Sequence, residues 1–143
     1  MSAKLLFWYE PNTKGTLYTW LDRFCSYFGV VPVIIDCLGA FDHGADKTPI
    51  AFSTMCEARA AFSDHQWIFL HPDGGVILDE LEHPAEPVIY ALGSNITGFG
   101  CSVGDLPADA EKVRLRDPEV IWDYQVAQMV LYDRRLYLDG RRV

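Results

Sequence analysis

The sequence alternates short apolar runs with segments of helical periodicity. Turn residues bound the apolar runs, and each run has the length of a buried strand. Chains of this pattern form a parallel sheet covered by helices, because each helix returns the chain to the edge where the next strand begins. We therefore predict an α/β fold with a mainly parallel, five-stranded sheet and helices on both faces. The strands are expected at 4–10, 30–36, 66–70, 87–93 and 111–115.

Capping signals place the predicted helices between these strands. Apolar residues recur at helical spacing from 16 to 28, and Gly29 ends that helix. Thr48-Pro49 has the form of an N-cap followed by a first-turn proline, and it predicts a helix that runs to about Phe62. Asp117-Pro118 is a similar start for a last helix that ends near Tyr137. A short helix is expected within 76–83, and a loop over 38–48.

Length and composition point to a single domain in the cytoplasm. The 143 residues, half of them hydrophobic, suffice for one α/β core. The sequence contains no apolar run of about 18 residues, so no membrane span is expected. The N-terminal segment is interpreted as a first strand of a cytoplasmic protein, because an acidic residue interrupts its apolar run.

The potential metal ligands are scattered along the chain. No CxxC pair occurs, which favours thiols without disulfides, and no metal site is expected. The stretch DHGAD at 42–46 is interpreted as a polar turn. The four cysteines are Cys25, Cys37, Cys56 and Cys101.

The formal net charge of −8 argues against broad nonspecific binding of nucleic acid, which depends on neutralising phosphates. A local basic patch remains compatible with this charge. Four of the twelve basic residues lie within the last ten positions: Arg134, Arg135, Arg141 and Arg142. They fit a solvated helix end at least as well as a ligand site.

The last predicted helix is apolar around nearly its whole circumference. In a small domain one side of such a helix meets the sheet, and we expect the other side to meet a second copy of the chain. We therefore predict a homodimer through this helix. Its apolar residues are Val120, Ile121, Trp122, Tyr124, Val126, Ala127, Met129, Val130, Leu131 and Tyr132.

A glycine-rich loop, LGSNITGFG, follows the fourth predicted strand at 92–100. Ligands of parallel sheets bind beyond the carboxyl ends of the strands, and glycines let a ligand approach the backbone closely. The segments EPNTKGT at 10–16 and LHPDGG at 70–75 follow two other strands. Their backbone amides suit a nucleoside-like ligand, although a plain glycine-rich turn accounts for the pattern equally well. The GxGxxG, P-loop and GxSxG motifs are absent.

The C-terminal half resembles the SPOUT superfamily of methyltransferases, especially its ribose 2′-O-methylating branch. The resemblance rests on Gly93-Ser94-Asn95 with Gly98, on Val113-Arg114-Leu115, and on the helix that closes with Leu131-Tyr132-Asp133. It covers 66–135 well and 4–36 in outline. It implies one SPOUT-like domain over 1–143, a C-terminal trefoil knot, S-adenosyl-L-methionine as cofactor, an RNA substrate and dimerisation through the last helix.

The resemblance also implies site residues. The candidates for binding the cofactor are Leu70, His71, Leu92, Gly93, Ser94, Gly98 and Leu115. Asn12 is the candidate for orienting the substrate, and Arg23 for stabilising a developing alkoxide. Ile96 stands where the family carries a glutamate, and the Ser-Leu-Asn element is not recognisable.

Three hypotheses therefore remain open. The first is an RNA methyltransferase that modifies a ribose hydroxyl. The second is a catalytically degenerate SPOUT-like dimer that acts as an interaction module. The third is an unrelated flavodoxin-like domain that binds a nucleotide or phosphate, in which the glycine-rich segment is an ordinary strand and loop without a knot.

Overall fold

The computed structural model describes residues 3–9, 23, 25–36, 50–93, 106–117 and 124–142. Within them lies a seven-stranded sheet in which every pair of neighbouring strands is parallel. The strands are β1 (Lys4–Trp8), β2 (Val31–Ile35), β3 (Ile50–Phe52), β4 (Gln66–Leu70), β5 (Val76–Ile77), β6 (Val88–Ala91) and β7 (Glu111–Arg114). Two helices are labelled α1 (Met55–Ala61) and α2 (Tyr124–Leu138), and a 3-10 helix spans Leu78–Glu80. Residue 23 and residues 25–28, just before Gly29, are also helical.

The predicted count of five strands is wrong, because two short strands were missed. Strand β3 lies within the helix that Thr48-Pro49 was expected to begin. Strand β5 lies in the segment expected to be a short helix, of which only the 3-10 turn is helical. Both strands lie at the edges of the sheet. Three residues of β3 pair with β2, and two residues of β5 pair with β7. Such short strands carry no measurable periodicity.

Helix α1 begins after Thr54, six residues later than predicted. The Thr54 hydroxyl accepts a hydrogen bond from the Glu57 N–H at 3.2 Å, and the Glu57 carboxylate accepts one from the Ser53 N–H at 3.1 Å. Thr54 and Glu57 have the T-x-x-E spacing of a capping box. This signal, rather than Thr48-Pro49, determines where the helix starts.

The strand order is β3-β2-β1-β6-β4-β7-β5. Strand β6 lies between β1 and β4, so Ile89 is paired with Lys4 on one side and Trp67 on the other. A flavodoxin-like sheet places its first three long strands in the order 2-1-3, with no later strand inserted there. The observed insertion of β6 rules out the flavodoxin-like hypothesis for this fold.

Each face of the sheet carries its own apolar core. Helix α2 covers one face with Val126, Ala127, Val130 and Leu131, all at most 2% exposed. Ala58 of α1 belongs to the core on the opposite face. The predicted placement of helices on both faces is therefore confirmed, and Phe62 and Leu138 lie at the two helix ends, as expected.

The outer side of α2 is exposed rather than buried. Met129 is 46% exposed and Tyr132 is 57% exposed. The beginning of the predicted last helix, including Trp122, lies outside the described residues, as do 94–105. A knot would depend on these segments. Among the described residues, no helix is long and apolar enough to cross a membrane.

Candidate functional site

Three neighbouring strands, β6, β4 and β7, end side by side at one edge of the sheet. The leucines at or just after these ends are Leu92, Leu70 and Leu115, and they are 6%, 3% and 8% exposed. All three belong to the core beneath α2. The predicted cofactor residues that the structure describes therefore lie along one edge, and the three leucines among them are buried in one core.

A tight turn after β4 is locked against β7. The His71 N–H donates to the Val113 carbonyl at 2.9 Å, and the His71 Nδ1 accepts from the Asp73 N–H at 3.0 Å. The Gly74 N–H returns to the His71 carbonyl at 3.0 Å. A Cβ on Gly74 would lie 2.6 Å from the Lys112 carbonyl oxygen, so only glycine allows this approach. The turn thus fixes the end of β4 against the strand that leads into Leu115.

The ends of β1 and β6 are also joined. The Trp8 indole N–H donates to the Leu92 carbonyl at 3.0 Å, and the Leu92 N–H donates to the Leu6 carbonyl at 2.9 Å. The chain proceeds from β1 outward to β2 on one side, while β6 lies on the other side, which makes this position a topological switch point. Sequence analysis did not single out Trp8. The sequence feature that could have indicated its role is a tryptophan at the end of a buried strand, because a buried indole N–H usually has a hydrogen-bond partner.

The predicted residues do not all lie at this edge. Asn12, Ser94 and Gly98 are outside the described residues. Gly93 follows Leu92 and is partly exposed, and His71 is also partly exposed. Arg23 is helical and exposed. It lies six residues before Gly29, after which the chain enters β2.

A polar network that the sequence did not reveal lies beneath α2. The His83 side chain is fully buried, with Nδ1 2.8 Å from the Tyr90 hydroxyl and Nε2 2.7 Å from an Asp133 carboxylate oxygen. Because a carboxylate only accepts, Nε2 carries the proton and Nδ1 accepts from Tyr90. Burial lowers the pKa of His83 and raises that of Tyr90.

Arg142 completes this network from the end of the chain. Its guanidinium donates to both carboxylate oxygens of Asp133 and to the carbonyls of Leu81, at 2.7 Å, and Leu78, at 2.9 Å. The network therefore joins α2, the 3-10 segment, β6 and the C-terminal residues. His83 and Asp133 are 50 residues apart in the sequence, so no local sequence pattern could have indicated their contact.

The described residues contain no group of three or more His, Cys, Asp or Glu side chains placed to hold a metal ion. The stretch 42–46 lies outside them.

The strand order and the convergent edge define a class of fold: a parallel α/β sheet in which a late strand is inserted beside the first. Solved structures share this fold over nearly the whole chain. One is a Bacillus anthracis protein proposed to be an RNA methyltransferase, with a TM-score of 0.70 and 14% identity over 96% of this chain and 94% of that one.

Two further structures extend the likeness. The TrmH/SpoU tRNA modifying enzyme of A. aeolicus has a TM-score of 0.68 at 14% identity, over 99% of this chain and 78% of that one. An AdoMet-bound rRNA methyltransferase from Sinorhizobium meliloti has a TM-score of 0.64 at 16% identity, over 96% of this chain and 56% of that one. The chain therefore shares the parallel α/β fold of these structures, which is the fold that the resemblance implied. The predicted knot remains a prediction. No family model and no curated protein sequence matches the chain.

Proposed function

We propose that the protein is an S-adenosyl-L-methionine-dependent RNA methyltransferase that modifies a ribose 2′-hydroxyl. The observation that carries the proposal is the convergence of Leu70, Leu92 and Leu115 at one edge of a sheet with this fold. A similar fold holds AdoMet in the Sinorhizobium meliloti protein. Apolar floors with a few polar groups are typical of sites for small organic ligands.

Among the described residues, several backbone groups near the proposed cofactor site are already hydrogen-bonded within the protein. The Leu92 N–H and carbonyl and the His71 N–H already bond within the sheet and to Trp8. The leucines would therefore provide apolar side-chain contacts, and the backbone groups that recognise the ligand would come from Gly93 onward. Ser94 and Gly98 belong to that loop by sequence, and His71 stands at its margin. The bound cofactor supplies an electrophilic methyl group.

The chain's own contribution to the reaction is positioning. Methyl transfer requires the ribose oxygen to lie in line with the methyl group, and holding the reactants in this geometry supplies much of the acceleration. We assign Arg23 to stabilising negative charge that develops on the ribose oxygen, and Asn12 to orienting the nucleotide. The exposure of Arg23 leaves it accessible to a substrate.

We further propose a homodimer through the outer side of α2, and a knotted C-terminal segment. Met129 and Tyr132 are exposed beside Tyr27, which is 69% exposed, and Arg135 packs on the Tyr27 ring at 5.0 Å. Monomers rarely leave such aromatic and methionine side chains in contact with water as one patch. A dimer would also bring basic residues of two chains together into one local patch that could contact RNA. The proposed location is cytoplasmic.

Calorimetry with S-adenosylmethionine and S-adenosylhomocysteine tests the cofactor assignment. We expect micromolar binding that Gly93→Val abolishes, because the added side chain would fill the space that the ligand needs. Gly75→Ala is the control, because nothing lies within 4 Å of the Cβ it adds. Equal binding by the two variants, or no binding by the unmodified protein, would exclude this site.

Oligomeric state is tested separately by light scattering. Met129→Glu and Tyr132→Glu should convert a dimer to a monomer, because each places a charge in the apolar contact. Ala60→Glu adds the same charge to an exposed position on α1, on the opposite face of the sheet, and should leave the dimer intact. A monomeric unmodified protein at micromolar concentration would contradict the proposal.

A second function, a SPOUT-like interaction module without catalysis, is favoured by one observation. Ile96 occupies the place of the family's glutamate, and no Ser-Leu-Asn element is present. Transfer of a labelled methyl group to RNA decides between the two functions. Cofactor binding without transfer to any RNA pool would favour the interaction module.

A further inference from the structure

The backbone ladder between β6 and β1 ends at Leu92. The Leu92 N–H donates to the Leu6 carbonyl at 2.9 Å, and this is the last backbone bond between the two strands. In a regular parallel ladder the next bond would run from the Trp8 backbone N–H to the Leu92 carbonyl. That bond is not formed, because the pairing stops at Leu6 and Ala91. The two backbones therefore separate after Leu92.

The side chain of Trp8 takes the place of the missing backbone bond. Its indole N–H donates to the Leu92 carbonyl at 3.0 Å, so this carbonyl still points toward β1 although the backbones have separated. The Trp8 ring packs against the apolar core on the face of the sheet that α1 covers. The packed ring fixes the donor, and the donor in turn fixes the direction of the carbonyl.

The direction of the Leu92 carbonyl determines the direction of the next N–H. The peptide between Leu92 and Gly93 is trans and planar, so its C=O and N–H point in opposite directions. Since the carbonyl points toward β1, the Gly93 N–H points away from β1, to the side on which β4 lies. A regular ladder would pair this N–H with the Leu70 carbonyl, but the pairing of β6 with β4 ends before it.

The Gly93 N–H is thus a directed donor that no described residue accepts from. Gly93 is partly exposed and lies at the edge of the sheet where Leu70 and Leu92 end their strands. A donor that is already held in one direction loses little freedom when a ligand binds. As a neutral backbone group, it suits an acceptor such as a ring nitrogen, a hydroxyl oxygen or a carboxylate oxygen.

We propose that Trp8 is a positioning residue of the cofactor site. Its indole orients the peptide between Leu92 and Gly93, so that the Gly93 N–H donates to an acceptor atom of the bound cofactor. Trp8 acts through the backbone of the neighbouring strand rather than by touching the cofactor. This inference rests on the proposed function, because the same edge of the sheet must hold S-adenosyl-L-methionine.

Trp67 provides a matched comparison. Its indole N–H donates to the Phe62 carbonyl, also at 3.0 Å, and its ring belongs to the same core. It is the second residue of β4 and lies toward the opposite end of that strand from Leu70. Phenylalanine at either position keeps an aromatic ring but removes the N–H. Trp8→Phe and Trp67→Phe therefore each lose one indole hydrogen bond, and only the former releases the Leu92 carbonyl.

NMR relaxation of the isotope-labelled protein tests the positioning without a ligand. The order parameter of the Gly93 N–H should be that of rigid backbone, about 0.85, in the unmodified protein and in Trp67→Phe. It should fall toward the flexible range, below about 0.6, in Trp8→Phe, because the peptide plane is released. Equal Gly93 order parameters in the two folded variants would overturn the positioning role.

Calorimetry with S-adenosylhomocysteine tests the connection to the cofactor. We expect Trp8→Phe to bind at least about fivefold more weakly, because the Gly93 N–H must then be ordered on binding, and Trp67→Phe to bind like the unmodified protein. Equal affinities of the two variants would refute the inference. Absence of binding by the unmodified protein would refute the proposed function and the cofactor's part of this inference, whereas the order parameters would still decide whether Trp8 holds the peptide.

A measurement on the unmodified protein covers the case in which Trp8→Phe does not fold. Addition of S-adenosylhomocysteine should move the Gly93 amide proton signal downfield, because the N–H gains an acceptor, and should leave the Trp67 indole signal in place. A Gly93 signal that does not move in a protein that binds S-adenosylhomocysteine would contradict the proposal.

Discussion

Gly74 and Gly75 are adjacent in the sequence, but only Gly74 should lose stability when it is replaced by alanine. An added Cβ on Gly74 would lie 2.6 Å from the Lys112 oxygen, 2.7 Å from the Lys112 carbonyl carbon and 2.8 Å from the Val113 nitrogen. All three are backbone atoms of β7, which pairs with β4 on one side and β5 on the other. No flexible side chain can move aside, so the turn must shift by several tenths of an ångström.

The free energy of unfolding should therefore fall in Gly74→Ala. Overpacking costs about 1–3 kcal/mol, and the clash with paired backbone places Gly74→Ala toward the upper end. Alanine offsets about 0.4–1 kcal/mol of this by restricting the unfolded chain. The net loss is about 2 kcal/mol, which corresponds to a melting temperature about 4–8 °C lower for a domain of this size. Gly75→Ala meets nothing within 4 Å and should change stability by at most about 0.5 kcal/mol.

Urea and thermal unfolding of the two variants and the unmodified protein provide the assay. The same turn holds His71 beside β7, so Gly74→Ala should also weaken cofactor binding, while Gly75→Ala should not. Equal unfolding midpoints for the two variants would refute the argument, because the close approach to Lys112 would then cost nothing.

The buried network yields two further predictions. Burial lowers the pKa of His83, so as the pH falls the unfolded chain takes up a proton before the folded protein does. The free energy of unfolding should therefore be highest above about pH 6.5 and should fall below that pH. Urea midpoints measured from pH 7.5 to 5.5 should show this decline in the unmodified protein and a smaller decline in His83→Gln. Asp133→Asn removes the charge that Arg142 and His83 share and should cost about 2–4 kcal/mol of stability, whereas Asp139→Asn at an exposed position should be nearly neutral. Equal losses for the two asparagine variants would show that the network does not stabilise the fold.

Four of the strands could be predicted from the sequence because each is a short apolar run. Strand β7 is mostly charged, and it was expected because Val113-Arg114-Leu115 stands where the resemblance places a strand. Strand β3 was missed because Thr48-Pro49 imitates a helix start, although Thr54 and Glu57 carry the capping signal that the structure uses. The strand order could not be predicted, because β4 and β6 are both mostly apolar and no local feature indicates which of them lies beside β1.

Part of the candidate site could also be named from the sequence. Leu70 and Leu92 belong to segments that follow predicted strands, and Leu115 was named from the resemblance. The structure places all three at the ends of neighbouring strands. The roles of Trp8 and His83 were not predictable, because each depends on a partner that is distant in the sequence: Leu92, 84 residues away, and Asp133, 50 residues away.

The insertion of β6 between two earlier strands has a consequence for how the chain reaches its native state. Its four residues are all fully buried, and every strand neighbour of β6 is separated from it by many residues of chain. Such pairings form late, because the entropy of closing long loops must be lost before they contribute. Until β6 inserts, β1 and β4 each present an unpaired apolar edge, so refolding should be slow and its yield should fall as protein concentration rises.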